Sequence, residues 1–141
     1  MTNKITVQGK LEKLLDIHQW LESIALQDDL PTSSLYAMKL CCEESFMNIV
    51  MHSYDSKNTS MNEVDQIIFL QMDRFPNNLQ LLIEDNGPLF NPLEKKETDQ
   101  PKDLMDAQIG GLGISLMKTF CNNIRYEPKN SGNRLIFQFS I

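Results

Sequence analysis

Glu44, Asn48 and His52 recur at four-residue intervals in the stretch LCCEESFMNIVMHSY, residues 40–54. On a helix this spacing lines a carboxylate, a carboxamide and an imidazole along one face of an otherwise apolar run. Such groups are costly to bury without partners, so a stripe of them faces a ligand or a cavity. Taken alone, the stretch also suits a solvated helix face with one satisfied asparagine.

Two later stretches bear on that choice. IEDNGPLFNP, residues 83–92, ends an apolar run on a carboxylate. Asp85 at such a strand end can accept a hydrogen bond from an exocyclic amino group such as adenine N6. Guanine presents a carbonyl oxygen at that place, so the same acid discriminates against it. Gly87 permits close approach of backbone to a flat ring. A plain Asp-Asn-Gly turn is the simpler alternative. GGLGISLM, residues 110–117, opens a helix on glycines. Its uncovered N–H groups and helix dipole suit a polyphosphate, although a flexible helix start reads the same way. It is not the P-loop, because no Gly-Lys-Ser/Thr follows.

The elements that must position these residues follow from periodicity. Ile5-Thr6-Val7 is a short first strand that Gly9 ends. Leu11, Leu14, Leu15, Trp20, Leu21 and Ile24 mark an amphipathic helix over residues 11–27. After Asp28, Asp29 and Pro31, Thr32 or Ser33 can cap a second helix that runs to about Tyr54. Its core positions are Leu35, Met38, Phe46, Ile49 and Val50. Residues 64–75 and 79–84 form a hairpin around Pro76-Asn77-Asn78. Residues 93–109 are polar and have no clear period, a loop whose length implies either mobility or function. A third helix runs from the glycines to about Asn122, and Ile124–Tyr126 and Leu135–Phe139 pair as a second hairpin around residues 129–133. The order β-α-α-β-β-loop-α-β-β predicts an α+β two-layer sandwich, with a mixed or antiparallel sheet carrying helices on one face.

The bulk composition excludes several classes. A chain of 141 residues, 41% hydrophobic and 23% charged, reads as one globular domain over residues 1–141. A net charge of −6 argues against nonspecific nucleic-acid binding. No apolar run approaches the roughly 20 residues of a membrane helix. MTNKITVQGK has no signal-peptide pattern, so the expected compartment is the cytoplasm. Cys41, Cys42 and Cys121 are neither a disulfide framework nor a zinc spacing, and read as small buried apolar residues.

Together the three stretches resemble the ATP-binding domain of the GHKL superfamily, the Bergerat fold. EESFMNIVMHSY is similar to its N box, DNGPLFNP to its first glycine box and GGLGISLM to its second. Within it, Glu44 before Asn48, His52-Ser53-Tyr54, the Asp-x-Gly-x-x-Phe-x-Pro box and a short lid resemble the stand-alone bacterial anti-sigma factor serine kinases. The resemblance implies ATP and Mg²⁺ as cofactors. It implies Glu44 as general base, Asn48 as Mg²⁺ ligand, and Asp85 and Gly87 as the adenine contacts. Gly111, Leu112 and Gly113 would cradle phosphates under a lid of residues 93–109, and His52 would be structural. The implied partners are a STAS-like anti-sigma antagonist, a sigma factor and a second copy of the chain, with no nucleic acid and no membrane.

Three features depart from that pattern. Asn133 stands where many members carry a threonine that supports the aspartate, although asparagine can still hydrogen-bond. His-Ser-Tyr replaces the commoner His-Gly-Tyr or His-Ala-Tyr. The lid has no arginine, which leaves Lys95, Lys96, Lys102 or a partner to meet the γ-phosphate. The expected function is an ATP-dependent serine/threonine protein kinase that phosphorylates an antagonist and holds a sigma factor. The alternative is an ATP/ADP-binding switch without phosphoryl transfer. A fragment of a histidine kinase fits less well, since His18 and His52 are poor phosphoacceptors.

Overall fold

Ile68, Leu70 and Met72 alternate with Phe69, Gln71 and Asp73, and Leu79, Leu81 and Ile83 alternate with Gln80, Leu82 and Glu84. A period of two places one set on each side of a pleated strand. The computed structural model describes residues 2–54, 60–94 and 113–141, and within them this patterning produces five strands. They are β1 (Thr2–Gln8), β2 (Ile67–Arg74), β3 (Asn78–Asp85), β4 (Asn123–Lys129) and β5 (Gly132–Ser140). They form one sheet in the order β1-β2-β3-β5-β4, with every neighbouring pair antiparallel. The mixed alternative is thereby excluded, and β3 lies at the centre.

Three helices cover one face of the sheet: α1 (Leu14–Gln27), α2 (Thr32–Asn48) and α3 (Gly113–Phe120). Ile17, Leu21 and Ile24 of α1, Met38, Cys41 and Phe46 of α2, and Met117 of α3 pack on the inward residues of β2, β3 and β5. The other face is polar at β3–β5–β4, where Glu84 receives Lys129 Nζ at 2.9 Å and Arg134 Nε at 2.7 Å. No helix among the described residues is long and apolar enough to cross a membrane.

Several boundaries differ from the sequence expectation. Residues 11–13 are a separate 3₁₀ turn before α1. Neither Thr32 nor Ser33 caps α2. Pro31 takes that place with φ −59°, and its carbonyl accepts the N–H groups of Ser34 and Leu35. The fixed proline φ sets the entry that a side-chain cap would otherwise stabilise. α2 also stops short of Tyr54: Ile49–Ser53 continue as a π-helical turn, closed by Tyr54 N–H on the Ile49 carbonyl at 3.0 Å. α3 ends at Phe120, before Asn122. The last hairpin is tighter than expected, since Lys129 pairs with Gly132 across Asn130 and Ser131. Of the lid, Leu93 and Glu94 close a 3₁₀ turn; its remaining residues, with Gly111 and Leu112, lie outside the described residues.

The wide turn after Asn48 delivers Tyr54 to a slot between two glycines. A Cβ at Gly9 would stand 2.5 Å from Tyr54 Cε2, and one at Gly87 would stand 3.1 Å from Tyr54 Cε1. The phenol donates to the Ile67 carbonyl at 2.9 Å and accepts Asn86 N–H at 3.2 Å. This anchors the end of the second helical segment to the start of β2 and the end of β3.

Gly132 has φ +130°, and a Cβ there would lie 1.8 Å from the Asp85 carbonyl oxygen. Backbone cannot swing aside as a side chain can. Gly132→Ala is therefore expected to destabilise the fold by about 3 kcal/mol, from the strained φ and the clash together. Urea melts of the two proteins measure it, and an unchanged midpoint would contradict the close approach.

Candidate functional site

Asp85 is the last residue of β3 and is 5% exposed. Its cross-strand neighbour is Asn133. Asp85 Oδ1 accepts Gly87 N–H at 2.9 Å and Asn133 Nδ2 at 3.0 Å, and neither bond uses Oδ2. Asn133 donates its second amide hydrogen to the Pro88 carbonyl at 2.8 Å. Its oxygen accepts Phe90 N–H at 2.8 Å and the Tyr126 hydroxyl at 2.5 Å. One buried carboxamide thus holds the aspartate, the Pro88–Phe90 turn and β4 together. Burial pushes the Asp85 carboxyl above the ordinary aspartate range, and the Asn133 and Gly87 bonds pull it only part of the way back.

Asn48 is the last residue of α2 and is 7% exposed. Asn48, Asp85, Asn133, Phe90 and Pro92 line a narrow cleft of about 20 Å³. That is room for about one water, so a flat ring enters beside Asp85 only if the lining, which includes Phe90 and Pro92, moves apart. A wider cleft of about 470 Å³ shares Asn48, Phe90 and Pro92 and continues to Ile114 on α3. Asn48 is where the two clefts join. His52 stacks on Phe90 with centroids 5.9 Å apart, a packing contact in the wall of the wider cleft.

Glu44, one turn before Asn48, is half-buried against the first residue of α3. A Cβ at Gly113 would stand 2.6 Å from Glu44 Oε2, so glycine leaves the carboxylate its place. Burial first, then the neighbouring Glu43, pushes the Glu44 carboxyl upward. The structure therefore brings Asp85 and Asn48 together in the narrow cleft, leaves Gly87 behind it against Tyr54 with its N–H on Asp85, and sets Glu44 with Gly113 between α2 and α3, in the wall of neither cleft. Lys95, Lys96 and Lys102 lie outside the described residues.

Sequence reasoning missed the scaffold behind these groups. It anticipated that Asn133 could bond the aspartate but gave no role to Tyr126, because the pairing depends on the strand register. Phe90 and Pro92 were visible as box residues, not as the gate of the cleft.

Residues 7–139 match the histidine kinase-like ATPase domain family. The chain belongs to that family. The serine/threonine-protein kinase BtrW of Bordetella bronchiseptica is 30% identical over 120 residues, covering 85% of this chain and 80% of BtrW. The anti-sigma F factor of Clostridium novyi is 24% identical over 102 residues, covering 72% of this chain and 67% of that protein. The solved RsbU and RsbW domains of Rv1364c from Mycobacterium tuberculosis share the fold, with a TM-score of 0.67 and 11% identity over 99% of this chain and 31% of that one. ATP is accordingly the nucleotide to set against the clefts. The residues suit it in their chemistry: a buried acceptor, Asp85, lines the narrow cleft, and a carboxamide, Asn48, lines both clefts.

Asn133→Ala leaves Asp85 buried with one bond fewer. The expected loss is about 2 kcal/mol, the cost of a poorly satisfied buried group. Because the folded state raises the Asp85 carboxyl, its protonation favours folding. That contribution is complete below the ordinary aspartate range and is lost as pH rises through the folded value. Asn133→Ala raises the folded value further, so the variant's deficit relative to wild type should grow as pH rises across that window. Denaturant melts at several pH values test this, and a deficit independent of pH would contradict the Asn133–Asp85 coupling.

Proposed function

We propose that the chain is an ATP-dependent serine/threonine protein kinase and anti-sigma regulatory factor. The observation that carries the proposal is the joined pair of clefts, with buried Asp85 at the narrow end and Asn48 where they meet. Asp85 accepts the adenine amino group, with Gly87, whose N–H bonds the same carboxylate, as the second adenine contact. Asn48 ligates Mg²⁺ through its carboxamide oxygen. When bound, Mg²⁺ offsets charge on the phosphates. Gly111, Leu112 and Gly113 offer backbone N–H groups to those phosphates. Glu44 takes the proton of the acceptor hydroxyl, and its raised carboxyl makes it a stronger base near neutral pH.

The phosphoacceptor is a serine of a STAS-like antagonist, and the protein held from polymerase is a sigma factor. Names of relatives support this reading: one is called a serine/threonine-protein kinase and another an anti-sigma F factor. A second copy of the chain is the further partner, with Phe69 and Leu82 available on the helix-free side of the sheet. The expected setting is the cytoplasm. The absence of arginine from residues 93–109 favours one other reading, an ATP/ADP-dependent switch that transfers no phosphate.

Calorimetry and a transfer assay separate these. Wild type should bind ATP and ADP over GTP with dependence on Mg²⁺. Asp85→Asn should lower ATP affinity and erase the preference over GTP, and Asn48→Ala should remove the Mg²⁺ dependence. Glu44→Gln should spare affinity while reducing phosphorylation of the antagonist by about 100-fold or more, the usual contribution of a general base. Nucleotide binding without transfer by wild type would favour the switch. No nucleotide binding would overturn both readings.

A further inference from the structure

Cys41 and Cys121 are eighty positions apart in the chain and meet between α2 and the end of α3. Cys41 Sγ lies 3.9 Å from the Met117 carbonyl oxygen, and the same oxygen accepts Cys121 N–H at 3.0 Å. The shared carbonyl brings the two thiols near enough to shift each other's ionisation, Cys41 upward and Cys121 downward. Cys41 is fully buried, while Cys121 is only half-buried, which corrects the expectation that all three cysteines are buried apolar residues. Cys42, next to Cys41, is fully buried and has no part in the contact. Two free thiols from distant segments in contact, one of them reachable from solvent, is the arrangement that thiol oxidation requires.

We propose that Cys41 and Cys121 form an oxidant-sensitive pair that closes reversibly into a disulfide joining α2 to the end of α3. Cys121 is the thiol that solvent reaches, and its ionisation is favoured by the neighbouring Cys41 and by backbone N–H groups at Cys121 and Asn123, against burial. Cys121 is therefore the attacking sulfur and Cys41 the resolving one. The oxidant is a hydroperoxide. The Cys121 thiolate attacks one peroxide oxygen of hydrogen peroxide, the O–O bond breaks, and hydroxide leaves and is protonated to water. Cys121 is then a sulfenic acid. The Cys41 sulfur attacks the Cys121 sulfur, the S–O bond breaks, and the Cys41 proton leaves with hydroxide as a second water. Two thiols supply two electrons, and one peroxide becomes two waters. A dithiol reverses the bond by exchange. The bond would fix α2 and α3 on either side of Glu44, since Cys41 is three residues before Glu44 and α3 begins at Gly113 against the Glu44 carboxylate.

The test uses the full chain and hydrogen peroxide, and its readout does not depend on nucleotide binding or phosphoryl transfer. Digestion without reductant followed by mass spectrometry should find a peptide pair joined at Cys41 and Cys121, lighter by two hydrogens. A dithiol should abolish it. Cys42→Ser should give the same linkage. Cys41→Ser should stop at a Cys121 sulfenic acid that dimedone traps, and circular dichroism confirms that each variant is folded. Cys121 carried to the sulfinic acid in wild type without the joined peptide would overturn the proposal, as would an equal yield of a Cys41–Cys42 bond.

Discussion

The bond between Asn133 and Asp85 is the constraint from which the site's geometry follows. A carboxylate at the end of the central strand loses most of its hydration, and burial alone would leave it far from its ordinary ionisation. The larger part of the compensation comes from Asn133 on the next strand, and Gly87 N–H adds to it. That larger part therefore exists only if β3 and β5 hold one register, in which Asp85 faces Asn133. That register needs the two backbones close together beside the pair. Gly132, with its positive φ and no Cβ, allows the Asp85 carbonyl to approach. The sheet is thus committed, at its most constrained point, to presenting one carboxyl group at the mouth of the helix layer.

A second constraint comes from the opposite layer. α2 must leave Asn48 at the cleft and still send the chain across to β2. A continuous α-helix would keep residues 48–54 on the same periodicity as the residues before them. The π turn over Ile49–Ser53 breaks that periodicity. His52 then stacks on Phe90, and Tyr54 enters the slot between Gly9 and Gly87. Asn86 divides the labour of the Asp-Asn-Gly segment. Asp85 turns inward to the cleft, while Asn86 bonds the Asp65 carbonyl at 2.7 Å and Ile67 N–H at 3.1 Å. The segment is therefore both ligand wall and clamp, and Tyr54 joins the two functions through its hydroxyl.

What the sequence disclosed was what local pattern controls. Period-two alternation revealed the two central strands, and the apolar spacing of residues 11–27 revealed the first helix. The order of the elements and the α+β class followed. Glu44, Asn48, Asp85 and Gly87 stood out by type and spacing, and the roles expected of them came from the resemblance. Features that depend on distant partners were not legible. The π turn brings Tyr54 to Gly9, to Ile67 at the start of β2 and to Asn86 and Gly87 after β3, all distant in sequence. The Thr32 or Ser33 cap was expected from type alone, and the proline before it made the cap unnecessary. The contact of Cys41 with Cys121 crosses two helices that sequence spacing cannot relate. Gly111, Leu112 and the lid lysines were named from the motif and fall outside the described residues.

The electrostatics of Glu44 connect these layers to reactivity. In the chain alone, burial and Glu43 already favour the protonated carboxyl. The start of α3 lies against the same group, and a helix N-terminus favours negative charge. These influences oppose each other, and burial dominates. An anionic ligand placed at α3 would add like charge and raise the carboxyl further, whereas a divalent cation near Asn48 would lower it. The ionisation of Glu44 is therefore sensitive to charge placed beside the start of α3. Gly113 makes this coupling direct, since the missing side chain leaves no atoms between the carboxylate and the backbone of α3.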